Sequence, residues 1–180
     1  VRYTAEDEAI DIPARLAELA AYLKEKTERL GLPMPRFLME PGRSIVADAG
    51  MTLYTVGSVK RIPGYKQYAA VDGGMTDNPR YALYQSRYTV YHAHKSGSME
   101  RFDVVGRCCE SGDIIQPGVE LPGDTCRGDI LAVCTTGAYN YSMASNYNRL
   151  PRPAVVMLTP DRIYEAVSRE TFADLTALDL

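Results

Sequence analysis

The stretch Met51–Asp72, MTLYTVGSVKRIPGYKQYAAVD, decides the fold. It holds two short runs rich in Val, Tyr and Thr, parted by Pro63 and Gly64. β-Branched and aromatic side chains suit a pleated, half-buried surface, and Pro and Gly punctuate it with a turn. The same texture returns downstream in RYTVYHA (87–93), RFDVVGR (101–107), DILAVCTT (129–136), AVVML (154–158) and RIYEAVS (162–168). Gly, Pro, Asp and Asn separate these runs, so the pattern predicts an all-β module, a barrel or a sandwich. One helix near DNPRYALY (77–84) interrupts the series, and RETFADLTALD (169–179) reads as a terminal helix.

Upstream of Met51 the period changes. Ile12, Leu16, Leu19, Leu23 and Leu30 fall on one face at helical spacing. Asp11 is a good N-cap, Pro13 sits where its missing N–H costs nothing, and Gly31 followed by Pro33 ends the helix. RFLMEPG (36–42) then reads as a buried strand with Glu40 at its end, and SIVADAG (44–50) as a short helix. Helix, strand and helix in that order are a fragment of an α/β barrel or a doubly wound sheet. The boundary with the β-module lies near Asp48–Met51.

The bulk numbers bound the function. A chain of 180 residues, 46% hydrophobic, can bury a real core. A net charge of −3 leaves no electrostatic footprint for nucleic acid or an acidic membrane. No apolar run approaches the ~20 residues that span a bilayer. Four cysteines are too few for a disulfide framework and read as reduced thiols, which points to the cytoplasm. The skew of 13 Tyr against 3 Phe and no Trp fits clefts or interfaces, where an amphipathic ring has one wet end. The chain opens on Val1 without an initiator methionine and reads as a piece of something longer.

Four motifs carry chemistry, each with an ordinary alternative. EPGRS (40–44) joins a strand to a helix, offers free backbone N–H groups and close approach at Gly42, and adds the guanidinium of Arg43 for phosphate or carboxylate. Its plain reading is a strand–turn–helix joint with a surface ion pair. Arg80 and Tyr84 stand four apart on the predicted helix and share a face, so one ligand could meet both; a solvated Arg over a buried Tyr is the plain reading. In GRCCESGD (106–113), adjacent thiols on an extended strand point to opposite faces, so one of Cys108 and Cys109 should pack inward and the other be exposed. A free thiol titrates near ~8.5 and can give or take a proton, and a neighbouring carboxylate keeps it protonated. Metal binding is disfavoured, because no second cysteine pair stands at zinc spacing. The plain reading is a small filler before a turn. Finally, Tyr139 sits in a Gly-flanked, Tyr- and Asn-rich loop and could hydrogen-bond an anion, or be one exposed tyrosine among several.

In order and spacing, Glu40–Pro41–Gly42–Arg43, then MTDNPRYALY, then CESGD, then GAY resemble the diaminopimelate decarboxylase branch of the fold-type III pyridoxal-phosphate-dependent amino acid decarboxylases. The resemblance runs from the first residues to about Arg169. It implies an α/β + β fold: residues 1–48 as the end of a cofactor-binding TIM-type barrel, and 49–180 as a C-terminal β-barrel or sandwich domain. VRYT would follow the Gly-rich loop that cradles the cofactor phosphate. It implies pyridoxal 5′-phosphate as cofactor and decarboxylation of meso-2,6-diaminopimelate to L-lysine. Glu40 would face the pyridine nitrogen, Gly42 and Arg43 the phosphate end, and Tyr139 both phosphate and substrate. Cys109 would be the general acid, supplied across the interface of a homodimer. Arg43, Arg80 and Tyr84 would donate to substrate, and Glu110 would receive its second ammonium.

A substrate with two amino acid heads demands partners for both, since a buried unpaired charge is costly. Glu110, where ornithine decarboxylases carry Asp, and Arg80 therefore favour diaminopimelate over ornithine, arginine or carboxynorspermidine. The family's Schiff-base lysine has no match among Lys24, Lys26, Lys60, Lys66 and Lys95. This polypeptide by itself is therefore expected neither to hold the cofactor tightly nor to decarboxylate. A non-catalytic β-domain that associates with itself is the contrasting expectation.

Overall fold

The computed structural model describes residues 2–4 and 6–180. The opening Val1 of the VRYT motif lies outside the described residues.

The predicted first helix forms as α1, Ile12–Leu30. The Asp11 carboxylate accepts from Ala14 N at 3.0 Å, Pro13 lies in the first turn, and Gly31 ends the helix in the left-handed region at φ 63. No residue of α1 is buried, and its stripe of Ile12, Leu16, Leu19 and Leu30 faces outward. The expected strand over RFLMEPG does not form: residues 32–42 are irregular and Phe37, Leu38 and Met39 are exposed. A strand exists by pairing, and these residues meet no pairing partner among the described residues. The expected α/β-barrel end is therefore not seen as a barrel here. SIVADAG becomes α2, Arg43–Val46, followed by a 3₁₀ turn over Ala47–Ala49.

The β-module is present. Six strands form one sheet: β1 (Met51–Arg61), β2 (Gln67–Val71), β3 (Val90–His92), β4 (Met99–Val105), β5 (Ile114–Pro122) and β6 (Ile130–Cys134). Helix α3, Arg80–Tyr84, stands between β2 and β3. The order is β3-β6-β1-β2-β4-β5, antiparallel throughout except for β2 beside β4. The sheet curls until its two edges, β3 and β5, lie against each other, which makes it barrel-like. The Gln116 side chain seals the seam by accepting from Tyr88 N at 2.9 Å. Val56, Phe102, Val104, Ile115, Leu121, Leu131 and Val133 fill the interior, all fully buried. Strands β7 (Val155–Leu158) and β8 (Ile163–Val167) form a separate hairpin, and α4, Phe172–Thr176, closes the chain behind a Thr171–Asp174 capping box.

Strand β5 has no counterpart among the predicted runs. Pro117 and Gly118 interrupt its apolar pattern, which demotes a segment in any local reading. Its ladder tolerates them because the pairing with β4 shifts register there; Gly118 takes φ 66 and its N–H goes to the buried Asp103 carboxylate at 2.8 Å.

Candidate functional site

Two clusters of the predicted residues emerge. The first is built on Arg43. Its guanidinium carbon lies 4.7 Å from the centroid of the Tyr3 ring and 4.9 Å from that of Tyr139. Arg80 lies 4.4 Å from the Tyr84 ring and 5.8 Å from the same Tyr139 ring. Tyr139 thus stands between two cations, an arrangement its electron-rich face favours. Gly42 is tight against this tyrosine, since a Cβ there would overlap the Tyr139 hydroxyl. Arg43 Nη1 and Arg80 Nε are buried and meet no hydrogen-bond acceptor among the described residues. Buried donors of this kind are finished by an anion or by water.

Local chain geometry sets this cluster up. Gly50 and Gly137 bring two backbones into contact, and Gly137 N donates to Ala47 O at 3.0 Å. The loop carrying Tyr139 is thereby pinned against the turn that follows Arg43. Tyr139 itself takes φ 66, a conformation uncommon for a side chain of its size. Met143, later in the same loop, has its sulfur 3.6 Å from Arg80 Nη1.

The second cluster is the CCESGD turn. Cys108 is buried and Cys109 exposed, as predicted, though not for the predicted reason. The chain is not extended there: Cys109 turns through φ 54. Burial pushes the Cys108 thiol up, and the Asp113 carboxylate beside it adds to the shift. Glu110 Oε1 accepts from Ser111 N at 2.9 Å and Ser111 Oγ at 3.1 Å, and its Oε2 from the Tyr147 hydroxyl at 3.2 Å. The hydrogen bonds from Ser111, then Tyr147, hold its carboxyl below the ordinary range, and the carboxylate in turn raises the Tyr147 phenol.

No hydrogen bond, ion pair or ring contact joins the two clusters among the described residues, and Glu40, exposed on the irregular segment, joins neither. A shared scaffold carries them. The buried Asp113 carboxylate accepts from Met75 N and Cys108 N, both at 2.6 Å, tying the turn to the loop that leads into α3 and Arg80. Gly74 and Gly106 leave room for it, since a Cβ on either would strike its oxygens. Ser145 N donates to Thr76 O at 2.8 Å, so the Tyr139 loop rests on the same support.

Several residues of this arrangement carry no signal in the sequence read locally. Tyr3 meets the Tyr88 ring edge-on at 5.3 Å, and Tyr88 is pushed up by burial and held back by Arg80 and Arg43 nearby. Asn148 Nδ2 donates to the Cys108 carbonyl at 2.6 Å. Only the excess of tyrosine hinted at the aromatic walls. Asp113 ends the quoted motif, yet a carboxylate buried among backbone N–H groups cannot be told from a solvated turn residue by spacing.

Residues 9–137 match the family model described as the C-terminal sheet domain of pyridoxal-dependent decarboxylases. The chain is 48% identical to diaminopimelate decarboxylase of Bacillus subtilis (strain 168), a match that takes in all of this chain and 41% of that protein. It superposes on diaminopimelate decarboxylase from M. jannaschii in co-complex with L-lysine with a TM-score of 0.88 at 34% identity, covering 99% of this chain and 40% of that one. Against lysine/ornithine decarboxylase from Vibrio vulnificus complexed with cadaverine the TM-score is 0.68 at 25% identity, covering 82% and 38%. The chain spans about 41% of the length of the curated relative with the highest of these identities. With its curled sheet and the match over residues 9–137, the chain belongs to the pyridoxal-dependent decarboxylase family, of which it carries the C-terminal sheet domain.

Proposed function

We propose that this chain is the C-terminal part of a pyridoxal-phosphate-dependent decarboxylase that converts meso-2,6-diaminopimelate to L-lysine and CO₂. The observation that carries the reading is the pair of guanidinium groups over one tyrosine, each with a buried donor that meets no acceptor among the described residues. An unmet buried donor costs about 1–3 kcal/mol, so this geometry is completed by anions. A phosphate and a substrate carboxylate are anions of the right size and charge for it.

The residues present fit the cofactor. Arg43 Nη1 and the Tyr139 hydroxyl, beside a glycine without a Cβ, suit its phosphate. Glu40 is assigned to the ring nitrogen, where a carboxylate holds a proton. When bound, pyridoxal phosphate supplies an electron sink for the carbon that loses CO₂. Arg80, stacked on Tyr84, takes the distal carboxylate of the substrate, and Glu110 takes the distal ammonium. As the C–C bond to the departing CO₂ breaks, Cys109 gives its thiol proton to that carbon, and water restores it. Because no hydrogen bond or ion pair joins Cys109 or Glu110 to the arginine cluster among the described residues, the turn is assigned to the site of a second subunit in a homodimer. Residues 1–48 are assigned to the end of the α/β barrel domain and 49–180 to the β-domain; the unpartnered apolar stripe of α1 supports the assignment. The setting is taken as cytoplasmic. No described helix is long and apolar enough to cross a membrane.

The test is CO₂ release by the complete enzyme from meso-diaminopimelate, ornithine, arginine and carboxynorspermidine. A preference for diaminopimelate of ~100-fold or more is expected, since a site built for a polar head rejects analogues lacking it. Arg80→Ala should lower kcat/KM for diaminopimelate ~100-fold and affect analogues without the distal carboxylate far less. Preferential turnover of ornithine would overturn the substrate, and equal loss on both substrates would remove Arg80 from that role.

A further inference from the structure

We propose that Tyr147 and Asn148 are the positioning residues of the Cys109–Glu110 turn, and that Tyr147 thereby sets selectivity for a substrate bearing a second ammonium group. The inference rests on the roles assigned above to Cys109 and Glu110.

Cys109 sits at φ 54, where a residue with a Cβ is strained and needs outside support. Cys108, the residue before it, has both of its backbone polar groups held. Cys108 N donates to buried Asp113, and the Cys108 carbonyl accepts from Asn148 Nδ2, each at 2.6 Å. That carbonyl belongs to the peptide plane that leads into Cys109, so fixing it fixes the direction in which the thiol leaves the chain. Asn148 is itself left-handed, at φ 52, which turns its amide back toward the turn. One residue earlier, the Tyr147 hydroxyl donates to Glu110 Oε2 while Ser111 occupies Oε1, so the carboxylate cannot rotate freely. The segment delivering these two donors is anchored immediately ahead of them. Ser145 N bonds Thr76 O at 2.8 Å, and Asn146 Nδ2 bonds Glu170 Oε2 at 2.6 Å. Two consecutive residues of one loop thus hold the two working residues of another. All four lie on one chain, so they travel together into whichever site the turn completes.

The experiment uses the complete enzyme. Tyr147→Phe keeps the ring and removes only the hydroxyl. It should raise KM for meso-diaminopimelate about 10-fold with kcat within about 3-fold, and leave KM for 2-aminopimelate, which lacks the second amine, unchanged. Asn148→Gly keeps the left-handed backbone free of strain and removes only the amide. It should lower kcat about 10–100-fold, the scale of a misplaced catalytic group. In D₂O the deuterium entering the new C–H bond should lose its single handedness. Cys109→Ser with Asn148→Gly should be no worse than Cys109→Ser alone, because Asn148 acts through the thiol. Unchanged KM in Tyr147→Phe, or additive losses in the double variant, overturn the inference while the parent enzyme still decarboxylates. Should Asn148→Gly fail to fold, judged by its melting curve, Tyr147→Phe decides alone. A parent enzyme that does not act on diaminopimelate overturns the underlying reading and this inference with it.

Discussion

Tyr139 has a hydroxyl that sits where a Cβ on Gly42 would be, a ring that faces two guanidinium groups, and a backbone held at φ 66. Removing the hydroxyl alone separates these roles. In the complete enzyme Tyr139→Phe should weaken pyridoxal phosphate binding about 10-fold, read by cofactor titration, and leave the melting temperature within a few degrees, because the stacking survives. A purely electrostatic prediction belongs to Glu170, which receives Arg152 Nε at 2.7 Å and Arg152 N at 2.8 Å. The Arg152 guanidinium, then its backbone N–H, hold the Glu170 carboxyl down to about 2 from its ordinary 4.5. A carboxyl depressed by folding binds its proton more readily unfolded. The stability it contributes is therefore whole above pH 4.5 and is lost as pH falls toward 2. Glu170→Gln should flatten the decline of the melting temperature across that window and leave its slope above pH 5 unchanged.

At the scale of elements, the decisive joint is between the turn after α2 and the loop after β6. Gly50 and Gly137 let two backbones touch, and a Cβ on Gly137 would overlap the Val46 carbonyl. Backbone cannot step aside as a flexible side chain can. Gly137→Ala should therefore cost about 1–3 kcal/mol, read from the urea midpoint of unfolding, and should part Tyr139 from Arg43. Gly31, Gly64 and Gly128, which are left-handed and stand in open space, offer a contrast: Ala there meets backbone strain and no clash. Element identity was legible wherever a run was uninterrupted, as in β1, β2 and β6, since period and turn residues are local properties. It failed at Arg36–Gly42, where apolar content alone promised a strand, and at Ile114–Pro122, where Pro117 and Gly118 hid one. In both cases the partner, not the segment, settled the outcome.

For the whole molecule, what matters is that no hydrogen bond or ion pair joins the arginine cluster to the cysteine turn among the described residues. If the protein is the proposed homodimer and each site takes Arg80 from one subunit and Cys109 from the other, then Cys109→Ser and Arg80→Ala enzymes, each nearly inactive, should regain activity when mixed. Random pairing in a two-fold dimer gives roughly a quarter of the parent activity. No recovery on mixing, with hybrid dimers confirmed by native mass spectrometry, would place both residues in one subunit's site. The 180-residue chain alone should release no CO₂ from diaminopimelate, because no lysine in it matches the Schiff-base position.

Read alone, the sequence determined the β-module after Gly50, the long capped helix before it, and the four motifs whose order resembles one decarboxylase branch. Those are matters of period, turn chemistry and residue identity, which each segment carries within itself. Tertiary structure alone decided that the sheet curls with β3 against β5 and that Arg43 and Arg80 share Tyr139. It also decided that Asp113, Tyr147 and Asn148 hold the Cys109 turn. These outcomes depend on which distant segments meet, and the donors and acceptors involved are ordinary polar residues until the fold buries them side by side.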